Sequence, residues 1–211
     1  MSPRSDVEAK VIRGAMTVNG AFLSIRHKET KAEALEKVRN FKVSTTGPFD
    51  DIVVDAPWPE AGVPYPTMSI EEITAFMQND VLPVSGPDAS LWFWTTNKFI
   101  FDAGRIIEAV GFEYKGLLTW AKDRGGKGYP LRGQTEHCLL ATRGNPVFAQ
   151  TTPTTLLGGE SREHSRKPDS FFELVERLCP SPRRCEFFAR ESRAGWVNMG
   201  AEVDKFGCAT A

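Results

Sequence analysis

Residues 51–58 read Asp-Ile-Val-Val-Asp-Ala-Pro-Trp. A run rich in β-branched residues, with Gly47-Pro48 before it and Pro57 and Pro59 after it, predicts a buried strand that ends at Asp55. Downstream, prolines at 57, 59, 64 and 66 mark a loop, and Ser69 with Glu72 forms the Ser-x-x-Glu signature of a helix start. Ser90 to Thr95 (SLWFWT) reads as a second buried strand. From Asn97 to Val110, residues Phe99, Ile100, Ala103, Ile106, Ile107 and Val110 share one helical face, and Gly111 ends the helix. Strands are expected over 112–120 and 136–142, separated by a loop from Lys122 to Arg132, and a second irregular stretch over 151–166. Pro168 and Asp169 open a helix with Phe171, Leu174, Val175 and Leu178 on one face, and Cys185–Ala189 forms a further strand. This alternation predicts an α/β domain with a largely parallel sheet over 48–211, preceded by an N-terminal extension, 1–47, with one short helix over 29–39.

The 211 residues are 41% hydrophobic and 25% charged, which excludes disordered, collagenous and membrane-spanning classes. A chain of this length buries about 70% of its unfolded surface, so one core holds it without staples. Cys138, Cys179, Cys185 and Cys208 have no CxxC spacing and only three histidines to join them, so neither a metal site nor a disulfide framework is expected. The first twenty residues carry Arg4, Asp6, Glu8, Lys10 and Arg13 with no apolar core segment, and no run reaches the length of a membrane span; a cytoplasmic protein is expected. The net charge of −1 conceals a segment, 115–168, with nine basic and four acidic residues, which allows a polyanionic partner locally.

Ligands of open α/β sheets bind beyond the carboxyl ends of strands, which singles out Asp55-Ala56-Pro57-Trp58 and Phe188-Ala189-Arg190-Glu191. A carboxylate, a turn carbonyl and an indole in four residues suit a flat ring bearing an amine: two acceptors for its N–H groups and a stacking surface. A plain structural turn has the same local composition, so both readings stand at this level. Lys122, Arg124, Lys127 and Arg132, with Tyr129, give the 122–132 loop charge and a stacking ring for nucleic acid. Gly125-Gly-Lys-Gly128 lacks the spacing of a phosphate loop and a following helix.

The tetrapeptide DAPW resembles the Asp-Pro-Pro-aromatic motif of amino-methyltransferases that use S-adenosylmethionine. PYPTMSIEE at 64–72, LWFW at 91–94, TW at 119–120, EHCLLATRGNP at 136–146, SRKPD at 165–169, ERLCP at 176–180, EFFAR at 186–190 and W-x-x-x-G at 196–200 follow in order. The ordered set, over residues 50–206, is similar to the MT-A type adenine N(6)-methyltransferase family. That family holds the catalytic subunit of eukaryotic mRNA N(6)-adenosine methyltransferase with its bacterial and phage relatives. The resemblance implies a Rossmann-like methyltransferase with the catalytic motif ahead of the cofactor strand. It implies that Asp55, Ala56, Pro57 and Trp58 hold the target adenine, and that Asp55, Lys167, Phe188, Ala189, Arg190 and Glu202 bind S-adenosylmethionine. Tyr65 would lie in a mobile loop over the site, and His164 and Arg166 join the nucleic-acid set. The implied partner is nucleic acid presenting a single-stranded or flipped adenine, with DNA ahead of RNA because the chain is compact; homo- and heterodimers both remain open.

Three departures stand out. Ala56 replaces the family's first proline, residues 190–196 differ from the eukaryotic loop rich in His and Asn, and the chain stops soon after Glu202, implying a minimal sheet. Ala56 supports an alternative, a catalytically silent partner subunit of the same fold, whereas retained Asp55 and Trp58 support the enzyme. A third class is a methyltransferase acting on a free base, a nucleotide or another small amine, against which the basic loop argues.

Overall fold

The computed structural model describes residues 9–21, 33, 36, 47–63, 65–126, 130–150, 152–160, 166–206 and 208–209. The chain divides into two units, one of Met1–Phe41 with Glu60–Thr67 and one of Lys42–Pro59 with Met68–Ala211. In the first unit residues 9–12 and 18–21 are helical, and of the helix expected over 29–39 only Glu33 and Glu36, both helical, are described.

The second unit is built on the strand read from the sequence. β1 (Phe49–Val54) is central, with β2 (Ser85–Thr96) parallel on one side and β6 (Arg184–Phe187) parallel on the other. Being buried on both faces, it has no need of polar alternation, which is why Ile52, Val53 and Val54 run together. α1 (Ile70–Phe76) follows the proline-rich loop, and both halves of its capping box form: Ser69 Oγ accepts the Glu72 N–H at 3.2 Å and Glu72 accepts the Ser69 N–H at 2.8 Å. The 97–110 periodicity is realised as a 3-10 turn, Asn97–Phe99, leading into α2 (Ile100–Ala109). Gly111, at φ 76°, closes it as a left-handed cap.

β3 (Glu113–Lys122) and β4 (Thr135–Arg143) form an antiparallel hairpin inserted beside β2. The seven-stranded sheet has the order β5-β3-β4-β2-β1-β6-β8, in which β4 alone runs against the rest. Two of these strands were not expected. β5 (Leu156–Gly159) lies in the stretch read as irregular: Leu-Leu-Gly-Gly carries weak strand propensity, and pairing with β3 at the sheet edge supplies what the residues lack. β8 (Trp196–Met199) extends the sheet past β6. The last expected strand ends at Phe187 rather than Ala189, because Phe188 turns to φ 62°.

α3 (Asp169–Leu178) covers one face, packing Phe171, Phe172, Leu174 and Val175 on Val53, Trp92, Trp94 and Trp120. β7 (Ser192–Arg193) and β9 (Cys208–Ala209) pair separately. Among the described residues no helix is long and apolar enough to cross a membrane, and no group of three His, Cys, Asp or Glu could hold a metal ion.

Candidate active site

The chain leaves β1 toward β2 and returns on the opposite side at β6, so a topological switch point lies between β1 and β6. Val54 and Phe187 are register partners there, which sets Asp55 and Phe188 side by side at the carboxyl end of the sheet.

After Asp55 the backbone folds tightly, with the Ala56 carbonyl accepting the Trp58 N–H at 2.9 Å and the Pro57 carbonyl accepting the Met68 N–H at 2.8 Å. A carbonyl has two lone pairs, so Pro57 retains acceptor capacity. Trp58 corrects one expectation. Its indole is 5% exposed, donates to the Trp94 carbonyl at 2.9 Å and stacks on Phe99 with centroids 5.4 Å apart and planes 12° apart. Burying this large ring on the core wins over presenting it to a ligand, so Trp58 anchors the turn. Trp58→Ala is therefore expected to cost about 3–5 kcal/mol of stability, read by denaturant unfolding. Trp58→Phe should retain most of both stability and activity.

Lys167, expected to touch a cofactor, is buried. Its ammonium donates to Asp55 Oδ2 at 2.6 Å, lies 3.3 Å from Glu136 Oε2 and sits 5.1 Å from the Trp94 ring centre. Glu136 in turn accepts from Lys122, whose ammonium packs on Trp120. Two carboxylates and two ammonium groups thus alternate from the end of β1 to the end of β3. Burial alone would raise Glu136, but Lys167 and Lys122 bring it down to about 2. Burial likewise opposes the charge on Lys167, yet Asp55 and Glu136 hold its pKa above the ordinary value.

On the β6 side, the Ala189 N–H donates to the Met199 carbonyl at 3.0 Å. A Cβ at Gly200 would lie 2.4 Å from the Ala189 carbonyl, so glycine is what lets the end of β8 approach this loop. Phe188 adopts the left-handed region, a conformation that bulky residues accept only where the surroundings impose it. Its ring packs on Phe76 at 4.7 Å. Arg190 Nε pairs with Glu202 Oε2 at 3.2 Å, bringing these two expected cofactor contacts together. Below them Glu186 accepts from Asn198 Nδ2 at 2.9 Å.

Burial, then repulsion from Asp55, raises the Glu186 carboxyl to about 8 despite Arg193 and Asn198. Between the ordinary value of 4.5 and about 8 the folded chain holds a proton that the unfolded chain has released, so stability declines as pH rises through that window. Glu186→Gln should flatten this decline, whose slope is at most about 1.4 kcal/mol per pH unit. Denaturant titrations at pH 5 and pH 8 measure it.

Among the described residues of the second unit, the four expected nucleic-acid residues Lys122, Arg124, Arg132 and Arg166 each engage a different local partner. Lys122 points inward to Glu136, and Arg166 is buried against Glu191. Arg132 braces its own loop through the Gly126 and Gly125 carbonyls at 3.0 and 3.2 Å. Each satisfies a local acceptor before it can serve a distant phosphate. Arg124, 89% exposed and 3.3 Å from Asp123, does face solvent. Tyr65 belongs to the first unit. Lys127, Tyr129 and His164 lie outside the described residues. The sequence assigns no role to Glu136, Glu186 or Glu191, although Glu191 closes the strand-end tetrapeptide singled out above; a carboxylate inside or flanking an otherwise apolar strand is the available signal for the first two.

A largely parallel sheet with its polar cluster at a switch point, a strand-end carboxylate on one side and a cation-bearing loop on the other, is a Rossmann-like ligand-binding architecture. The MT-A70 family model matches residues 49–202, and the chain belongs to that family. Its methyltransferases use S-adenosylmethionine as methyl donor. Among similar proteins, a probable N(6)-adenosine-methyltransferase MT-A70-like of Oryza sativa subsp. japonica is 30% identical over 79% of this chain and 25% of its own length. The human N(6)-adenosine-methyltransferase catalytic subunit METTL3 is 29% identical over 79% of this chain and 30% of its own. The type II methyltransferase M.MunI of Mycoplasma sp. is 31% identical over 68% of this chain and 61% of its own. The chain thus spans about a quarter of the plant relative's length.

Proposed function

We propose that this chain transfers a methyl group from S-adenosylmethionine to the N(6) amine of adenine in nucleic acid. The observation that carries the reading is the Asp55 carboxylate at the switch point, locked by a buried lysine 112 residues away in sequence. The donor set fits the cofactor in kind. Glu202 and Asp55 are acceptors for hydroxyl or ammonium groups, and Arg190 is a cation for a carboxylate. Two of the three Lys167 donors are engaged by Asp55 and Glu136, so its first role is to orient Asp55.

The cofactor, when bound, supplies an activated methyl group. The protein's contribution is alignment. Asp55 accepts one N–H of the target amine and the Pro57 carbonyl accepts the other, which draws the nitrogen toward sp³ geometry and frees its lone pair. A carboxylate already paired with an ammonium serves as an acceptor, and the amine's proton leaves after transfer. A base stacked in a duplex cannot reach this position, so the adenine is single-stranded or flipped. Arg124, with Lys127 and Tyr129 of the same loop, is the assigned contact to the nucleic-acid backbone.

DNA stands ahead of RNA in this reading. What supports it is the likeness to a type II methyltransferase, 31% identical over 68% of this chain. The silent-subunit alternative rests on Ala56. Alanine adopts proline-compatible angles at a cost of about 0.4–1 kcal/mol, too little to abolish activity. A chain built only for contact would have no need of the Asp55–Lys167 lock.

Titration calorimetry with S-adenosylhomocysteine should give micromolar affinity, about −8 kcal/mol. Competition between matched single-stranded DNA and RNA then ranks the substrates. Folded protein that binds no cofactor up to millimolar concentration would end this reading.

A further inference from the structure

Besides the Lys167–Glu136 pair, residues 166–169 show three further ion pairs. Lys167 pairs with Asp55 after β1, Arg166 with Glu191 in the loop after β6, and Asp169 with Arg193 at 2.7 Å. Glu191 is the centre of the set on the β6 side, because it also lies 3.5 Å from Arg193. All three side chains are largely withdrawn from solvent, at 6% exposure for Glu191, 15% for Arg166 and 11% for Arg193. Arg193 is fixed further: its guanidinium lies 4.2 Å from the Phe172 ring centre, and its backbone N–H donates to Asn198 Oδ1 at 2.8 Å. An anion held this way defines where the Arg166 backbone runs, and Lys167 is the next residue.

We propose that Glu191 is a positioning residue: through Arg166 it sets the segment that presents Lys167 to Asp55. The assignment rests on the catalytic reading of Asp55 for its consequence, but not for its geometry. Pro168 biases the preceding Lys167 toward extended backbone, where successive side chains point to opposite sides. The loop after β6 grips one side of residues 166–167 and the turn after β1 receives the other. Loss of the Glu191 charge removes the carboxylate that Arg166 and Arg193 share, and the segment shifts with Arg166. Lys167 then moves from Asp55 although neither residue has been altered. The same linkage joins the loop carrying Arg190 to the turn that receives the base, so the two halves of the site are ordered together.

The test measures Lys167 directly. An amine-reactive label applied briefly to the native full chain, followed by peptide mass spectrometry, reads its accessibility against Lys115, whose side chain is 42% exposed. Lys167 should be protected in the parent and labelled at least ~5-fold faster in Glu191→Gln, with Lys115 unchanged, provided circular dichroism shows the variant folded. Arg166→Gln should give the same change, and the double variant no more than either alone, as for two partners of one interaction. Glu191→Asp should recover part of the protection. In methylation assays Glu191→Gln should lower kcat by about tenfold while the KM for S-adenosylmethionine moves less than about threefold. Unchanged Lys167 labelling in folded Glu191→Gln and Arg166→Gln would overturn the proposal, whatever the activity. Increased labelling in a chain whose parent form methylates nothing would uphold the positioning role and remove the methyltransferase reading.

Discussion

Asp55→Asn is expected to lower methyl transfer to adenine by at least about 10²-fold, or roughly 2.7 kcal/mol of transition-state stabilisation, while the protein stays folded. The magnitude follows from what Lys167 does to the new side chain. The ammonium 2.6 Å from Oδ2 selects the amide oxygen, which turns the amide NH₂ outward. The target amine then meets a donor where it needs an acceptor. Single-turnover rates with labelled S-adenosylmethionine separate this from cofactor binding, which should change little. A parent-like rate would show that the base is held elsewhere.

Lys167→Met should produce a loss of stability as large as that of Trp58→Ala. It leaves Asp55 and Glu136 facing each other without their shared cation, and removing one partner of a buried ion pair costs about 3–5 kcal/mol. For a chain of this size that lowers Tm by about 6–20 °C. Adding Glu136→Gln should recover part of the loss, since it withdraws one of the stranded charges. The pH dependence carries a sign. Glu136, brought down to about 2, contributes stability that is complete above its ordinary value of 4.5 and is lost as pH falls toward 2. Lys167 is shifted upward, so its contribution is complete below 10.5 and is lost as pH rises past it. The variant should therefore lose less stability on acidification from pH 4.5 than the parent. Thermal melts across this range measure both effects.

Some of this was legible from the residues because local chemistry decides it. The apolar run at 52–54 could only be a buried strand, the Ser69 and Glu72 pair forms its cap within four residues, and the face of α2 repeats at helical spacing. β5 was not legible, since Leu156–Gly159 becomes a strand only through β3. The cluster around Lys167 was opaque for a related reason. Its partners come from the ends of β1 and β4, and nothing in SRKPD says which carboxylates the fold delivers. Trp58 shows the converse error. An indole beside a strand-end carboxylate suggests a stacking surface, but Phe99 and the Trp94 carbonyl, both distant in sequence, claim it first.

The central claim is tested most directly by the position of the transferred methyl group. Single-stranded DNA and RNA are incubated with the chain and methyl-labelled S-adenosylmethionine, digested to nucleosides and analysed by mass spectrometry. Label is expected in N(6)-methyladenine nucleosides from the parent chain, and at least about 10²-fold less from Asp55→Asn. Label on the amine of cytosine, or none on either nucleic acid from a folded, cofactor-binding chain, would contradict it.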